Sequence, residues 1–248
     1  MKQTTVLYEK KDGIARITLN RPEVKNALNH AMHEELFQCF HEAEQDKEVE
    51  VIVLQGSGDS FCAGADLKSI PLEDMDNFEY GLYLRDTYNR LILLIDSIEK
   101  PTVAYLNGIA VGAGLSIALA CDYRVAEQNA KMALSFLKIG LVPDAGASYF
   151  LPRLVGLGKA AEMGLGNTIT AEEAYRINLI TSIGNPDELA EDLVKVPSKA
   201  FGLMMRNMKK GSEKSLAEVL EMEVSAQTAA GQTEEHKQAI KRFVDKRK

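Results

Sequence analysis

NGIAVGAGLSIALAC, residues 107–121, places small residues where an apolar strand gives way to something else. Residues 113–121 are small and apolar on every side, which predicts a buried helix, and the glycines flanking Ala113 let the chain turn tightly into it. The first N–H groups of such a helix have no partner within it and carry partial positive charge. FCAGADLK, residues 61–68, offers a second strand-exit turn, in which Gly64 at positive φ would swing the N–H of Ala65 toward the same space. Two converging amides are the parts of an oxyanion hole, each donor worth about 10²–10³ in rate. On spacing alone, such a turn is more often plain packing of helix on strand. Gly108, Gly112 and Gly114 do not match GxGxxG, no acidic residue follows at the distance a dinucleotide site needs, and no P-loop is present.

Working outward, IARITL at 14–19 alternates and is β-branched, and VIVLQ at 51–55 is continuously apolar, so both read as strands. Between them Leu28, Met32, Leu36, Phe37, Phe40 and Ala43 keep helical spacing, predicting a helix over 27–46 with Asn29 as a possible N-cap. Strand, helix, strand in this order points to a crossover connection and an α/β layer. Residues 76–98 read as helix, 100–108 as strand and 121–130 as strand and turn. Thr170 with Glu173 is a capping-box pattern, and Asn185–Pro186 opens a further helix with proline at its first position. Beyond about 198 only helical patterns remain, ending in Ala239, Ile240, Phe243 and Val244 on one face. The expectation is an α/β core over 1–195 and a helical C-terminal segment over 196–248. The acidic stretch 69–79 is the best candidate for a mobile loop.

Composition narrows the partners. Hydrophobic residues make up 46% of the chain and charged residues 26%, ordinary globular values. A net charge of −7 argues against nucleic-acid binding. The apolar run 108–121 is too short to span a membrane, and the N-terminus lacks a secretory apolar region. Cys39, Cys62 and Cys121 are odd in number and lack metal spacing, so they read as free thiols in a reducing compartment. The expectation is a cytoplasmic protein. His30 and His33 stand at i, i+3 as a possible metal pair without a third ligand nearby, and read as a solvated helix face.

FCAGADLK, PTVAYLNGIAVGAGLSIALACDYRVA and KIGLVPDAGASYFLPRLVG, with LNRPEVKNALN near the start and AIKRFVDKR near the end, together resemble the crotonase superfamily, the enoyl-CoA hydratase/isomerase family. The likeness covers nearly the whole chain. It implies an α/β fold, a crotonase-like spiral of ββα units with a helical C-terminal segment that serves trimerisation and the CoA-site lid. It also implies an acyl-CoA thioester substrate, a trimer or dimer of trimers, and an enolate held by the amides of Ala65 and Ala113. Coenzyme A belongs to the substrate, and neither a metal nor a further cofactor is implied. At the second amide the family usually has glycine; alanine keeps the N–H and adds a methyl.

Family hydratases use two glutamates, because adding water requires deprotonating it and delivering a proton in concert. At those matched positions stand Ser116 and Phe136. Asp144, in GLVPDAG, matches the single acid/base of the family's enoyl-CoA and epoxyphenylacetyl-CoA isomerases. Burial against Phe136 and Leu141 would raise its pKa. By local chemistry alone, Asp144 is also a good turn residue after Pro143. Asp66 is a rival acid, better placed to fix its loop or touch a ligand. Matched positions Val24, Lys25, Ala27, Ala63, Leu67, Lys68, Ala110 and Gly112 imply contacts to the substrate, with Lys25 and Lys68 either meeting CoA phosphates or simply solvated. Phe243 and Lys246 would reach in from a neighbouring subunit. Cys62, among small apolar neighbours, reads as inert packing. The leading expectation is a double-bond isomerase, with a hydratase or a non-catalytic acyl-CoA binder as alternatives.

Overall fold

The computed structural model describes residues 4–69 and 77–245. The two expected strands are β2 (Ile14–Leu19) and β3 (Val51–Gly56), parallel and hydrogen-bonded neighbours as a crossover demands, with β1 (Val6–Lys11) antiparallel at the edge. Helix α1 (His30–Gln45) makes that crossover. Its N-cap is Asn29, whose side chain accepts from the Met32 N–H at 2.9 Å. The helix starts later than periodicity suggests, because Leu28 is extended and forms a parallel bridge with Ala65.

From β3 onward the chain repeats one move. It leaves a six-stranded sheet, adds a short strand to a four-stranded sheet, and returns by helix. β3 is followed by β4 (Ser60–Cys62), then α2 (Tyr80–Leu84), a turn of π-helix (Arg85–Asn89) and α3 (Arg90–Ser97). β5 (Thr102–Leu106) is followed by β6 (Ile109–Val111) and α4 (Ala113–Ala120), and β7 (Tyr123–Ala126) by β8 (Lys131–Ala133), α5 (Ala147–Val155) and α6 (Leu157–Gly164). This is the ββα spiral. Returning each time to the same end makes β3, β5 and β7 parallel to one another, and likewise β4, β6 and β8. β9 (Ile169–Thr170), α7 (Ala171–Arg176), β10 (Ser182–Ile183) and α8 (Asp187–Leu193) close the sheets, giving the orders β1-β2-β3-β5-β7-β10 and β4-β6-β8-β9.

Strand alternation divides the burial. Ile52, Leu54, Ala104 and Leu106 face the main core between the sheets and helices, while Val51, Val53, Val103 and Val125 face Ala190 and Leu193 of α8. No strand follows Ile183 among the described residues. α9 (Ser198–Gly211), α10 (Leu216–Gly231) and α11 (Glu234–Asp245) occupy the region expected to be helical. Met208, Leu220, Val224, Ile240, Phe243 and Val244 on these helices are exposed. No helix among the described residues is long and apolar enough to cross a membrane.

Several local expectations need correction. The helix expected over 76–98 begins at Tyr80 and contains the π turn. Residues 70–76 of the expected mobile loop lie outside the described residues. The capping box at Thr170 is half formed: its hydroxyl accepts from the Glu173 N–H, but the Glu173 carboxylate turns to Arg176 instead. Pro186 is the N-cap of α8 rather than its first residue. His33 is not on a solvated face. It is buried, because α1 packs against α3 and the π turn on that side.

Candidate active site

The topology itself brings the two glycine turns together. β4 and β6 are parallel neighbours, with Cys62 opposite Ala110, so the chain leaves both strands at the same end. Gly64 has φ +93, and a methyl built on it would lie 2.9 Å from the Val111 carbonyl oxygen and 3.7 Å from the Ala113 nitrogen. Gly112 caps α4 at φ +53. A methyl on Gly114 would fall 2.6 Å from Cys62 Cβ and 2.7 Å from its Sγ, so only glycine lets the first turn of α4 press against β4. Among the described residues, the Ala113 N–H, first in its helix, donates no backbone hydrogen bond, and neither does that of Ala65. Ala113 is buried and Ala65 exposed. Beside Ala65 opens a cavity of about 280 Å³ lined by Leu28, Asn29, His30, Ala31, Asp66, Phe78 and Tyr83.

The Ala65 turn is held by the segment before α1. Ala63 N–H donates to the Lys25 carbonyl at 2.9 Å, Leu28 N–H to Gly64 at 2.8 Å, and Asp66 N–H to Leu28 at 2.9 Å. Lys25 and Asn26 take left-handed φ of +53 and +56 to make this possible. Asn26, fully buried, accepts from Arg21 N–H and donates from Nδ2 to the Ser57 and Ser60 carbonyls. Arg21 in turn binds Asp66 Oδ2 at 2.9 Å and the Ala27 carbonyl at 2.6 Å. Asp66 therefore fixes its loop, the first of the two roles considered for it. Asn107 works likewise under the other turn, exchanging hydrogen bonds with Gly56 and donating to Gly58.

Asp144 lies in a strained turn. Ala145 has φ +49, a left-handed conformation that costs roughly 1–2 kcal/mol without glycine, and Gly146 follows at φ +80. The Asp144 carboxyl is half-buried, and its Oδ1, shielded from solvent, has no hydrogen-bond partner among the described residues. Burial alone pushes its pKa from 3.8 up to about 6. A methyl on Gly146 would meet Ile92 of α3 at 3.2 Å, so this turn packs on the helix that also carries Tyr88. The Tyr88 phenol lies within electrostatic reach of Tyr83, of Asp144 and of Cys62 at the end of β4.

The other matched positions fall as follows. Ala27, Ala110 and Phe136 are buried, and Phe136 Cζ lies 3.9 Å from a methyl built on Gly112. Val24 and Pro143 are half-buried, whereas Lys25, Leu67 and Lys68 are exposed around the Ala65 turn. Ser116 is wholly buried, and its Oγ donates back to the Gly112 carbonyl at 3.2 Å. Phe243 is exposed on α11, and Lys246 lies outside the described residues. Cys62 is buried, and burial pushes its thiol up to about 12, the behaviour of inert packing. Asn26, Asn107, Arg21 and Tyr88 escape sequence reasoning. Only the Asn107–Gly108 turn pair carries a local signal.

Fold and site together define an α/β protein whose ββα spiral brings two glycine turns side by side and holds a half-buried carboxyl in a later turn. The sequence model described as enoyl-CoA hydratase/isomerase matches residues 9–248, and the chain belongs to that family. It is 33% identical to the short-chain-enoyl-CoA hydratase of Clostridium acetobutylicum over all of this chain and 97% of that one. It is 31% identical to the 1,2-epoxyphenylacetyl-CoA isomerase of Escherichia coli K12 over 98% and 96% of the two chains. The crystal structure of an enoyl-CoA hydratase from Thermoplasma volcanium superposes with a TM-score of 0.89 at 28% identity, covering 98% of each chain. The fold is that of the crotonases.

Proposed function

We propose that the protein is an acyl-CoA double-bond isomerase with one acid/base. The observation that carries this reading is the Asp144 carboxyl, half-buried, without a partner at Oδ1 among the described residues, and poised at about 6. In this reading the thioester oxygen of a 3-enoyl-CoA accepts from the N–H groups of Ala65 and Ala113. The Asp144 carboxylate takes a proton from C2, the electron pair spreads over the dienolate onto that oxygen, and the carboxylic acid returns its proton at C4, leaving the double bond at C2–C3. A pKa near the working pH suits a group that must both accept and give. Val24, Ala63 and Leu67 would line the approach, and Phe136 and Ser116, neither able to exchange a proton with the acyl chain at neutral pH, would stand where a hydratase needs its two glutamates.

The reading extends to the surroundings. Lys25 and Lys68 would meet the CoA phosphates, aided by Phe243 and Lys246 of a neighbouring copy in a trimer or dimer of trimers, in which the exposed apolar side chains of α9–α11 find cover. No metal or redox cofactor is called for, and the enzyme would work in the cytoplasm. A hydratase is the second reading, favoured by the names of the Clostridium and Thermoplasma relatives. Absorbance assays of 3-enoyl-CoA isomerisation and crotonyl-CoA hydration separate the two. Asp144→Asn should abolish double-bond migration and leave acyl-CoA affinity nearly intact. Full activity in that variant removes the assignment, and affinity without turnover of any enoyl substrate would mark a non-catalytic binder.

A further inference from the structure

Tyr88 is 2% exposed, and its hydroxyl is buried without a hydrogen-bond partner among the described residues. Buried phenols ordinarily find one, since a buried unsatisfied donor is costly. The His33 ring packs edge-on against the Tyr88 ring with centroids 4.2 Å apart, yet both His33 nitrogens are also unpartnered. Tyr83 lies at 6.1 Å between centroids, and lines the cavity beside Ala65.

The backbone is also irregular at this point. Tyr88 belongs to a π turn, Arg85–Asn89, set between α2 and α3. Such insertions shift the face a helix presents and recur at functional sites. Thr87 Oγ1 donates to the Tyr83 carbonyl at 2.5 Å within that turn. One helical turn after Tyr88, Ile92 meets the Gly146 end of the Asp144 loop. Phenol and carboxyl thus lie within electrostatic reach of each other, each with an oxygen left without a partner among the described residues. Burial, with Tyr83, Asp144 and Cys62 nearby, raises the Tyr88 pKa, so the phenol stays protonated and can act as a donor.

We propose that Tyr88 is a specificity-determining residue whose phenol O–H donates to an oxygen borne by the acyl chain on C3 or C4, so that the site prefers oxygen-bearing acyl-CoA thioesters over hydrocarbon ones. The inference rests on the assignment of Asp144 and the two amides to the acyl-CoA site. A hydrocarbon chain leaves the phenol unsatisfied, whereas an oxygenated one satisfies it without further ordering of the protein. Sites built to hydrogen-bond a substrate oxygen discriminate strongly against analogues that lack it.

The test measures binding apart from turnover. In the Asp144→Asn background, butyryl-CoA and each enantiomer of 3-hydroxybutyryl-CoA are titrated calorimetrically, with and without Tyr88→Phe. One enantiomer should bind about tenfold tighter than butyryl-CoA. Tyr88→Phe should erase that preference, change butyryl-CoA affinity less than about twofold, and leave the melting temperature of the free protein equal or higher, because it removes an unpartnered hydroxyl. Equal affinities in the presence of Tyr88, a preference that survives Tyr88→Phe, or a drop in melting temperature that exposes an internal bond would each overturn the inference. If the preference appears as expected while the unmodified chain moves no double bond, Tyr88 keeps its role and the isomerase reading fails. If no thioester binds, both fall.

Discussion

Asp144→Asn tests the buried carboxyl through stability as well as turnover. An ordinary aspartate ionises near 3.8, and burial moves this one to about 6 in the folded protein. The sign follows directly. The folded state disfavours the carboxylate, so stability is lost as pH rises from the unfolded value of 3.8 through about 6, and the loss is complete above that range. At about 1.4 kcal/mol per pH unit the full loss is roughly 3 kcal/mol. Because part of the carboxyl meets solvent, about 2 kcal/mol is the better expectation. Asparagine cannot ionise, and whatever its amide costs is independent of pH. Urea unfolding of both proteins from pH 4 to pH 8 should therefore show the variant gaining about 2 kcal/mol relative to the parent across that interval. In the parent, kcat/KM for 3-enoyl-CoA should climb about tenfold per unit below pH 6 and level off above it. A stability difference that does not change with pH would refute the claim that this carboxyl is desolvated, and with it the reason for its catalytic poise.

Ala113→Pro removes one amide donor at the first position of α4, where proline is tolerated; turnover should fall at least about 100-fold with helix content retained by circular dichroism, and undiminished turnover would exclude that donor. Gly114→Ala should lower stability by about 2–4 kcal/mol, because its methyl meets Cys62 at 2.6–2.8 Å including backbone oxygen, and thermal unfolding reads the loss. Burial holds the Cys62 and Cys121 thiols at about 12, so iodoacetamide at pH 8 should leave both unmodified until the protein is unfolded; rapid native labelling of Cys62 would contradict its packing.

The legible parts of this protein were those encoded by contiguous residues. β2, β3 and α1 follow from period and cap, and Gly64 takes the positive φ its turn needs. The short strands β4, β6 and β8 do not announce themselves, since three residues carry no usable alternation. Yet they set the site, because the neighbouring exits of β4 and β6 bring Ala65 toward Ala113. Leu28 was misassigned to a helix because its apolar side chain fits the helical stripe, while its backbone is committed to Ala65. His33 fits a polar helix face by sequence and is buried by α3, a contact made by residues some sixty positions away. Tyr88 is aimed by a π turn, which no residue type marks.

The division of labour follows from magnitudes. One amide donor to a developing oxyanion is worth about 2.7–4 kcal/mol, so in the proposed site the pair would supply roughly 5–8 kcal/mol. Raising the carboxyl from 3.8 to about 6 makes the base stronger, and only a part of the corresponding ~3 kcal/mol reaches the transition state. Enzymatic rate enhancements begin near 8 kcal/mol. Neither device reaches that level comfortably alone, whereas the two together do. A thioester held by both amides with Asp144 removed should therefore bind but not react. A site with Asp144 intact and the Ala113 donor deleted should retain a base that titrates at the same pH while turning over at least about 100-fold more slowly. Finding the pH midpoint displaced in the latter variant would mean that the amide and the carboxyl act through each other rather than on the same substrate.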